Sequence, residues 1–274
     1  MDIYFLLKAA VLGVVEGLTE FLPVSSTGHL IIASNAMNFT GDAANTFNVA
    51  IQAGAIVAVC WHYRRRLLSL LLRCLTTEKK LAVNLILAFL PAAIVGLVLN
   101  DIINDYFFNV PTVSLTLIAG GLFIFWIEKR QKTQKKFIAS EMDDITPALA
   151  FKIGCMQCFA LIPGTSRSGA TIMGAMFLGV RRKAATEFSF FLAIPTILGA
   201  SAYSLWNSLG EAENILSNAS MLEGLGIGFL TSFISALFVV SWLLKYVSTN
   251  SFNVFGWYRI IFGIFLSALS FFPE

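Results

Sequence analysis

Apolar residues run along almost the whole chain, and their interruptions divide it. Six stretches, 46–63, 81–100, 111–128, 186–206, 221–245 and 254–272, approach the roughly 20 apolar residues needed to cross about 30 Å of hydrocarbon, and each predicts a transmembrane helix. Two further apolar regions, 3–38 and 147–180, are broken near the middle by polar turns, Pro-Val-Ser-Ser-Thr-Gly-His at 23–29 and Pro-Gly-Thr-Ser-Arg-Ser-Gly at 163–169. Each half is too short to cross alone, so both regions are read as re-entrant helical hairpins. Irregular backbone at membrane depth is tolerated only where protein buries it or where it lines a wet cavity. The two breaks therefore mark a cavity.

The basic residues set an orientation. Loop 64–80 carries Arg64, Arg65, Arg66, Arg73, Lys79 and Lys80; loop 129–145 carries Lys129, Arg130, Lys132, Lys135 and Lys136; Arg181, Arg182 and Lys183 follow the second hairpin. By the positive-inside tendency these face the cytoplasm. Segments 40–45, 101–110 and 207–220 contain neither Lys nor Arg but include Asp42, Asp101, Asp105, Glu211 and Glu213, and face outward. Both termini then lie outside, with the first hairpin entering from outside and the second from the cytoplasm.

Sliding the chain against itself by 141 positions aligns Gly13 with Gly154, Glu16 with Gln157, Ser25 with Ser166, Thr27 with Ser168, Gly28 with Gly169 and Phe47 with Phe188. Each half is one hairpin followed by three crossings, and an odd number of crossings gives the halves opposite orientation. The expected architecture is an all-α polytopic integral membrane protein, one membrane domain over 1–274, with six transmembrane helices plus two re-entrant helical hairpins in an inverted-topology repeat, 1–128 and 147–274.

Composition removes alternatives. Of 274 residues, 57% are apolar and 13% charged, about half the charged share of soluble proteins, and the mean hydropathy is +0.77; no stretch leaves room for a separate soluble domain. The net charge of +3 sits in the short clusters named above, which excludes nucleic acid as a partner and leaves the lipid bilayer. Cys60, Cys74, Cys155 and Cys158 lie in or beside apolar stretches, so a disulfide framework is not expected. The Cys-Met-Gln-Cys run at 155–158 lacks a second pair to complete a zinc site. The N-terminal segment has no basic n-region or small-residue cleavage site and reads as mature protein.

Against this scarcity of charge, Glu16 and Glu20 stand out. At i and i+4 both carboxylates leave one helix face, at a cost on the order of 3 kcal/mol per charge in lipid. A divalent cation with oxygen ligands, Mg²⁺ or Ca²⁺, compensates such a pair; a pair sharing one proton or bonded to backbone is the alternative. Ser25, Ser26, Thr27, Gly28 and His29 follow. Capping explains one or two of those hydroxyls, but not three with an imidazole that can act as acid, base or nucleophile. The second turn holds Thr165, Ser166, Arg167, Ser168 and Gly169 before an Ala- and Gly-rich helix, a setting suited to an anion. Arg167 is the only Lys or Arg that this reading puts near mid-membrane, and its planar fork suits phosphate; a structural ion pair with Glu16 or Glu20 is the plainer reading. Carboxylates for a metal, a phosphate clamp, hydroxyls and a histidine are the parts of phosphoryl transfer. A phosphorylated lipid is the substrate able to reach them.

Glu-Gly-Leu-Thr-Glu-Phe-Leu-Pro-Val-Ser-Ser-Thr-Gly-His at 16–29 and Pro-Gly-Thr-Ser-Arg-Ser-Gly-Ala-Thr at 163–171 resemble the two signatures of the bacterial undecaprenyl-diphosphate phosphatase family of the bacitracin-resistance type, and the resemblance covers essentially the whole chain. It implies hydrolysis of undecaprenyl diphosphate to the monophosphate in the bacterial plasma (inner) membrane, recycling of the lipid carrier for peptidoglycan, an active site opening toward the periplasmic side, and bacitracin as a competitor for the prenyl diphosphate. It implies Glu16 and Glu20 as metal-linked acids, Ser26 and His29 as catalytic groups and Arg167 as the diphosphate clamp. Ser25, Thr27, Gly28, Thr165, Ser166, Ser168 and Gly169 are supporting substrate-binding positions; at Thr165 the family pattern also accommodates a bulky aromatic.

Three attacking groups stay open at this point: Ser26 with His29 as base, which is slightly preferred, His29 itself, or water activated by His29. An inverted-repeat transporter or lipid flippase is the main rival, and an intramembrane serine protease a weaker one. Pure transport gives no task to a Ser, His, carboxylate and Arg constellation, and a protease needs neither paired glutamates nor a buried Arg. A homodimer is left open.

Overall fold

The computed structural model describes residues 3–39, 42–76, 78–207 and 219–270. Among them there is no strand beyond one isolated bridge between Ala139 and Val180. The α-helices are α1 Ile3–Thr19, α2 Ser26–Ala36, α3 Asp42–His62, α4 Arg64–Arg73, α5 Lys79–Phe107, α6 Val110–Thr133, α7 Pro147–Gln157, α8 Arg167–Phe177, α9 Arg182–Asn207, α10 Ala219–Thr249 and α11 Asn253–Ser270. Short 3₁₀ turns occupy Met142–Asp144 and Cys158–Leu161. The chain is an all-α, multi-pass membrane protein.

Each expected crossing falls on one helix: α3, α5, α6, α9, α10 and α11; residues 271 and 272 of the last lie outside the described residues. Lys79–Ile103, Val110–Thr133, Arg182–Ser204 and Met221–Thr249 are long and apolar enough to span, while Phe47–His62 and Asn253–Leu269 are shorter apolar segments. At 1.5 Å per residue the 18 residues of α11 extend about 27 Å, close to the hydrocarbon thickness.

Lipid as the outer solvent is visible in the helix faces. On α1 the large apolar Leu7, Val11, Val14 and Leu18 point outward, while Gly13, Glu16 and Gly17 are buried. A water-soluble helix would do the reverse. Without a hydrophobic drive between helices, close packing of small residues holds such a bundle together. A Cβ at Gly13 would lie 2.2 Å from the Gly228 carbonyl oxygen of α10, and one at Gly154 of α7 would lie 2.4 Å from that of Ala88 in α5. Thus α1 packs along α10, α7 along α5, and α6 along α11.

The elements of the two halves recur in the same order. Shifted by 141, α2 lands on 167–177, the bounds of α8; α5 lands on 220–248, inside α10; α3 lands on 183–203, inside α9. Gly13 and Gly154, paired by the same shift, make the matching close contacts described above.

Two local expectations change. Residues 64–80, expected as a loop, begin with α4, because Arg-Arg-Arg-Leu-Leu-Ser-Leu-Leu-Leu-Arg is rich in good helix formers; its Leu68, Leu71 and Leu72 are exposed. The hairpin breaks also sit earlier than the polar runs suggested, at 20–25 and 158–166, so that Ser26–His29 and Arg167–Gly169 form the first turns of α2 and α8. Serine is a better N-cap than a helix interior residue, and Ser25 and Ser166 take that role.

The three basic segments meet at one end of the bundle. Arg66 contacts Glu78 at 3.1 Å and Asp143 at 2.7 Å. Lys80 Nζ donates to the Asp143 carbonyl at 2.5 Å. Arg182 grips buried Glu128 through Nε at 3.0 Å and a terminal nitrogen at 2.5 Å, and Glu128 also accepts the Phe252 N–H.

Candidate active site

Two unusual backbone positions create the site. Ser25 and Ser166 are N-caps with φ of 72° and 73°, a region that costs a non-glycine residue about 1–3 kcal/mol. Each places its side-chain oxygen on the N–H three residues on, Gly28 at 3.5 Å and Gly169 at 3.1 Å. The reversal turns the first helical residues, Ser26 and Arg167, toward the same point.

At that point stands Glu20. Its Oε2 accepts a hydrogen bond from Ser26 Oγ at 2.6 Å and its Oε1 one from Arg167 at 3.0 Å. The other terminal nitrogen of Arg167 donates to the Ser189 carbonyl at 3.0 Å, and the guanidinium lies 5.8 Å from the Phe21 ring centroid. Its buried Nε has no hydrogen-bond partner among the described residues. One turn back on α1, Glu16 is fully buried with Glu20 and Arg167 as its charged neighbours, and among the described residues no N–H or O–H group donates to either of its oxygens. A buried carboxyl with both oxygens idle is costly. Among the described residues no group of three or more His, Cys, Asp or Glu side chains is arranged to hold a metal.

The two turns touch directly. Ser168 Oγ donates to the Leu22 carbonyl at 2.8 Å, Ser166 Oγ reaches it at 3.5 Å, and the two hydroxyls are 3.0 Å apart. Thr171 on α8 bonds the Ser189 hydroxyl at 2.5 Å. Thr27 is partly exposed at the start of α2.

His29 is not part of this cluster. Its Nδ1 lies 2.7 Å from the Ser25 carbonyl oxygen and its Nε2 2.5 Å from the Tyr258 hydroxyl of α11, with its ring stacked 4.3 Å from Phe262. The expected pairing of Ser26 with His29 is therefore replaced by a pairing of Ser26 with Glu20.

Arg167 is also not the only arginine in the membrane interior. Arg259 of α11 is 1% exposed and faces backbone carbonyls. It donates to Pro23 at 3.2 Å, Gly164 at 3.0 Å, Thr165 at 2.9 Å, Thr116 at 3.0 Å and Leu117 at 3.3 Å. One guanidinium thus ties both broken turns to α6. Space for it comes from Gly120, where a Cβ would sit 2.2 Å from the guanidinium. The sequence signal was present, a lone arginine inside an apolar span, but the span carries no polar break to draw attention to it. Ser189 and Tyr258 carried no such signal.

Comparison with known proteins gives the chain's family. Residues 9–265 match the family model described as bacitracin resistance protein BacA. The chain is 49% identical over 270 residues to an undecaprenyl-diphosphatase of Janthinobacterium sp. (strain Marseille), covering 97% of this chain and 95% of that one. It is 48% identical over 269 residues to one of Herminiimonas arsenicoxydans, with 97% and 95% covered. To one of Methylococcus capsulatus it is 50% identical over 260 residues, with 94% and 92% covered. With a match over nearly its whole length and the two signature turns brought together, the chain belongs to the bacitracin resistance protein BacA family.

Proposed function

We propose that the protein hydrolyses undecaprenyl diphosphate to undecaprenyl phosphate and inorganic phosphate. The observation that carries this is the convergence of Ser26 and Arg167 on one buried carboxylate, Glu20. A hydroxyl bonded to a carboxylate at 2.6 Å has its general base in place. Ser26 Oγ attacks the terminal phosphorus and gives its proton to Glu20, the bond from that phosphorus to the bridging oxygen breaks, and undecaprenyl phosphate leaves. Water then attacks the phosphoserine, releasing inorganic phosphate and restoring Ser26. Arg167, with its Nε uncommitted, neutralises the charge spread over the transferring group.

The idle oxygens of Glu16 fit a divalent cation. Mg²⁺ or Ca²⁺ held there with Glu20 needs only one or two carboxylates when water and substrate phosphate complete the shell, and when bound it supplies charge stabilisation on the phosphate oxygens. The end of the bundle bearing Arg66, Lys80 and Arg182 faces the cytoplasm, as the positive-inside tendency requires. The α3, α5, α6, α9, α10 and α11 helices are then the six crossings, in two halves of opposite orientation. Placement in the inner membrane, opening of the site to the periplasmic side, recycling of the carrier for peptidoglycan and competition with bacitracin for the prenyl diphosphate belong to the same reading.

Phosphate release from undecaprenyl diphosphate by protein purified in detergent tests the assignment. Activity is expected to vanish in Glu20→Gln, and to fall on chelation and return with Mg²⁺ or Ca²⁺. Turnover unchanged in Glu20→Gln would overturn the assignment of the base, and turnover indifferent to chelator would remove the metal.

A further inference from the structure

The first turn is held more loosely by its own backbone than the second. In the second, the Ala170 N–H reaches the Ser166 carbonyl at 2.9 Å and the Gly169 N–H reaches Ser166 Oγ at 3.1 Å. The matching bonds around Ser25, from the His29 and Gly28 N–H groups, are 3.4 and 3.5 Å long. Yet Ser25 holds the same positive φ, which persists only where its surroundings over-determine it. At the position matching Ala170 the first turn has His29, and the short contact to the Ser25 carbonyl is made by its imidazole, at 2.7 Å.

A carbonyl oxygen only accepts, so Nδ1 carries the proton in that contact and Nε2 faces the Tyr258 hydroxyl at 2.5 Å. The Tyr258 and Phe262 rings lie nearly parallel to the imidazole, at 8° and 16°. Both ring nitrogens are thus occupied, and the Ser26 hydroxyl is bonded to Glu20. We infer that Tyr258 is a positioning residue for the hydrolysis: through Nε2 it fixes the His29 ring, whose Nδ1–H clamps Ser25 and so aims Ser26 at Glu20. His29 acts here as a clamp, and the Ser26 proton goes elsewhere. The neighbouring residue Arg259 bonds carbonyls of both turns, so two consecutive residues of α11 hold the site together. This inference rests on the phosphatase reading above.

Asparagine provides the test, because its amide N–H reproduces Nδ1–H without a basic nitrogen. His29→Ala, His29→Asn, Tyr258→Phe and the double variant His29→Ala with Tyr258→Phe are assayed for phosphate release, with melting temperatures in the same detergent to confirm folding. Tyr258→Phe keeps the ring stack and loses only the hydroxyl; it is expected to lower kcat about tenfold, the worth of one hydrogen bond, with KM within about twofold. In the His29→Ala background the same substitution should cost nothing further, and His29→Asn should exceed His29→Ala by about tenfold. His29→Asn no more active than His29→Ala, or an equal Tyr258→Phe loss in both backgrounds, overturns the clamp. Failure of the phosphatase reading looks different: the wild-type protein itself then releases no phosphate.

Discussion

The Ser25 and Ser166 turns are built on one plan and used in two ways. Both have a serine N-cap at nearly the same positive φ, both cap the N–H three residues later, and both begin an 11-residue helix. The helices then differ. In α8 every residue from Ser168 to Met176 is buried, whereas α2 buries only Ser26, Gly28, Leu30 and Ser34. The second turn is further tied by Arg259 to Gly164 and Thr165 and by the Thr116 hydroxyl to the Pro163 carbonyl at 2.7 Å. It forms a rigid wall that presents a guanidinium. The first, reached by Arg259 only at Pro23, is joined to Glu20 through Ser26 and to α11 through His29, and in the proposed reaction it carries the attacking hydroxyl. The matched positions differ, Ser26 against Arg167 and Glu16 against Gln157, and on the proposed reading that difference divides the chemistry between nucleophile and clamp.

Substitutions that treat the turns alike should separate them, most sharply at the reacting group. Ser26→Ala is expected to reduce kcat by about 10⁴-fold or more, the scale of a lost nucleophile, while Ser166→Ala loses a cap worth about 1 kcal/mol and retains most turnover. Steady-state phosphate release from both variants decides this, and similar losses would abolish the division of labour. Arg167→Lys keeps the charge but not the fork and should lower kcat/KM by about 10²-fold, with an unchanged melting temperature; near-normal turnover would remove the clamp.

The link between the turns comes next. Arg259→Met leaves five backbone carbonyls without their donor and should cost more than about 3 kcal/mol of stability, read as earlier thermal unfolding in detergent. If stability is unaffected, the two turns are held by other contacts. The smallest effect is expected for Ser25→Gly and Ser166→Gly. Glycine accepts the positive φ freely and replaces serine at an N-cap for a few tenths of a kcal/mol, so melting temperatures should stay level or rise slightly. A marked fall in either would show that the serine side chains contribute more than their caps.

The crossings, the two breaks and the correspondence between the halves were legible because lipid imposes them on composition: a span needs an apolar run, and a polar interruption inside one demands protein or water around it. Glu16, Glu20, Ser26 and Arg167 were legible for the same reason, being polar where polarity is costly. The α4 helix was hidden because charges at the membrane edge read equally as loop or as interfacial helix. The partners of His29 were not legible, since closeness to Ser26 in the chain says nothing about which way a ring three residues along the helix points; it lies against Ser25 and Tyr258.

The solvent of this protein and the candidate residues for its chemistry follow from hydropathy and from the few charges that violate it, both properties of a single chain position or a short window. Partnerships do not follow. That Glu20 takes the Ser26 hydroxyl depends on how the chain reverses over six residues, and that Tyr258 takes His29 and Arg259 spends its donors on the carbonyls of three distant segments depends on side-chain directions across 94 to 236 residues of chain. Hydrogen bonds are short-ranged and directional, so only the packed arrangement of α1, α6, α8 and α11 could choose among those partners.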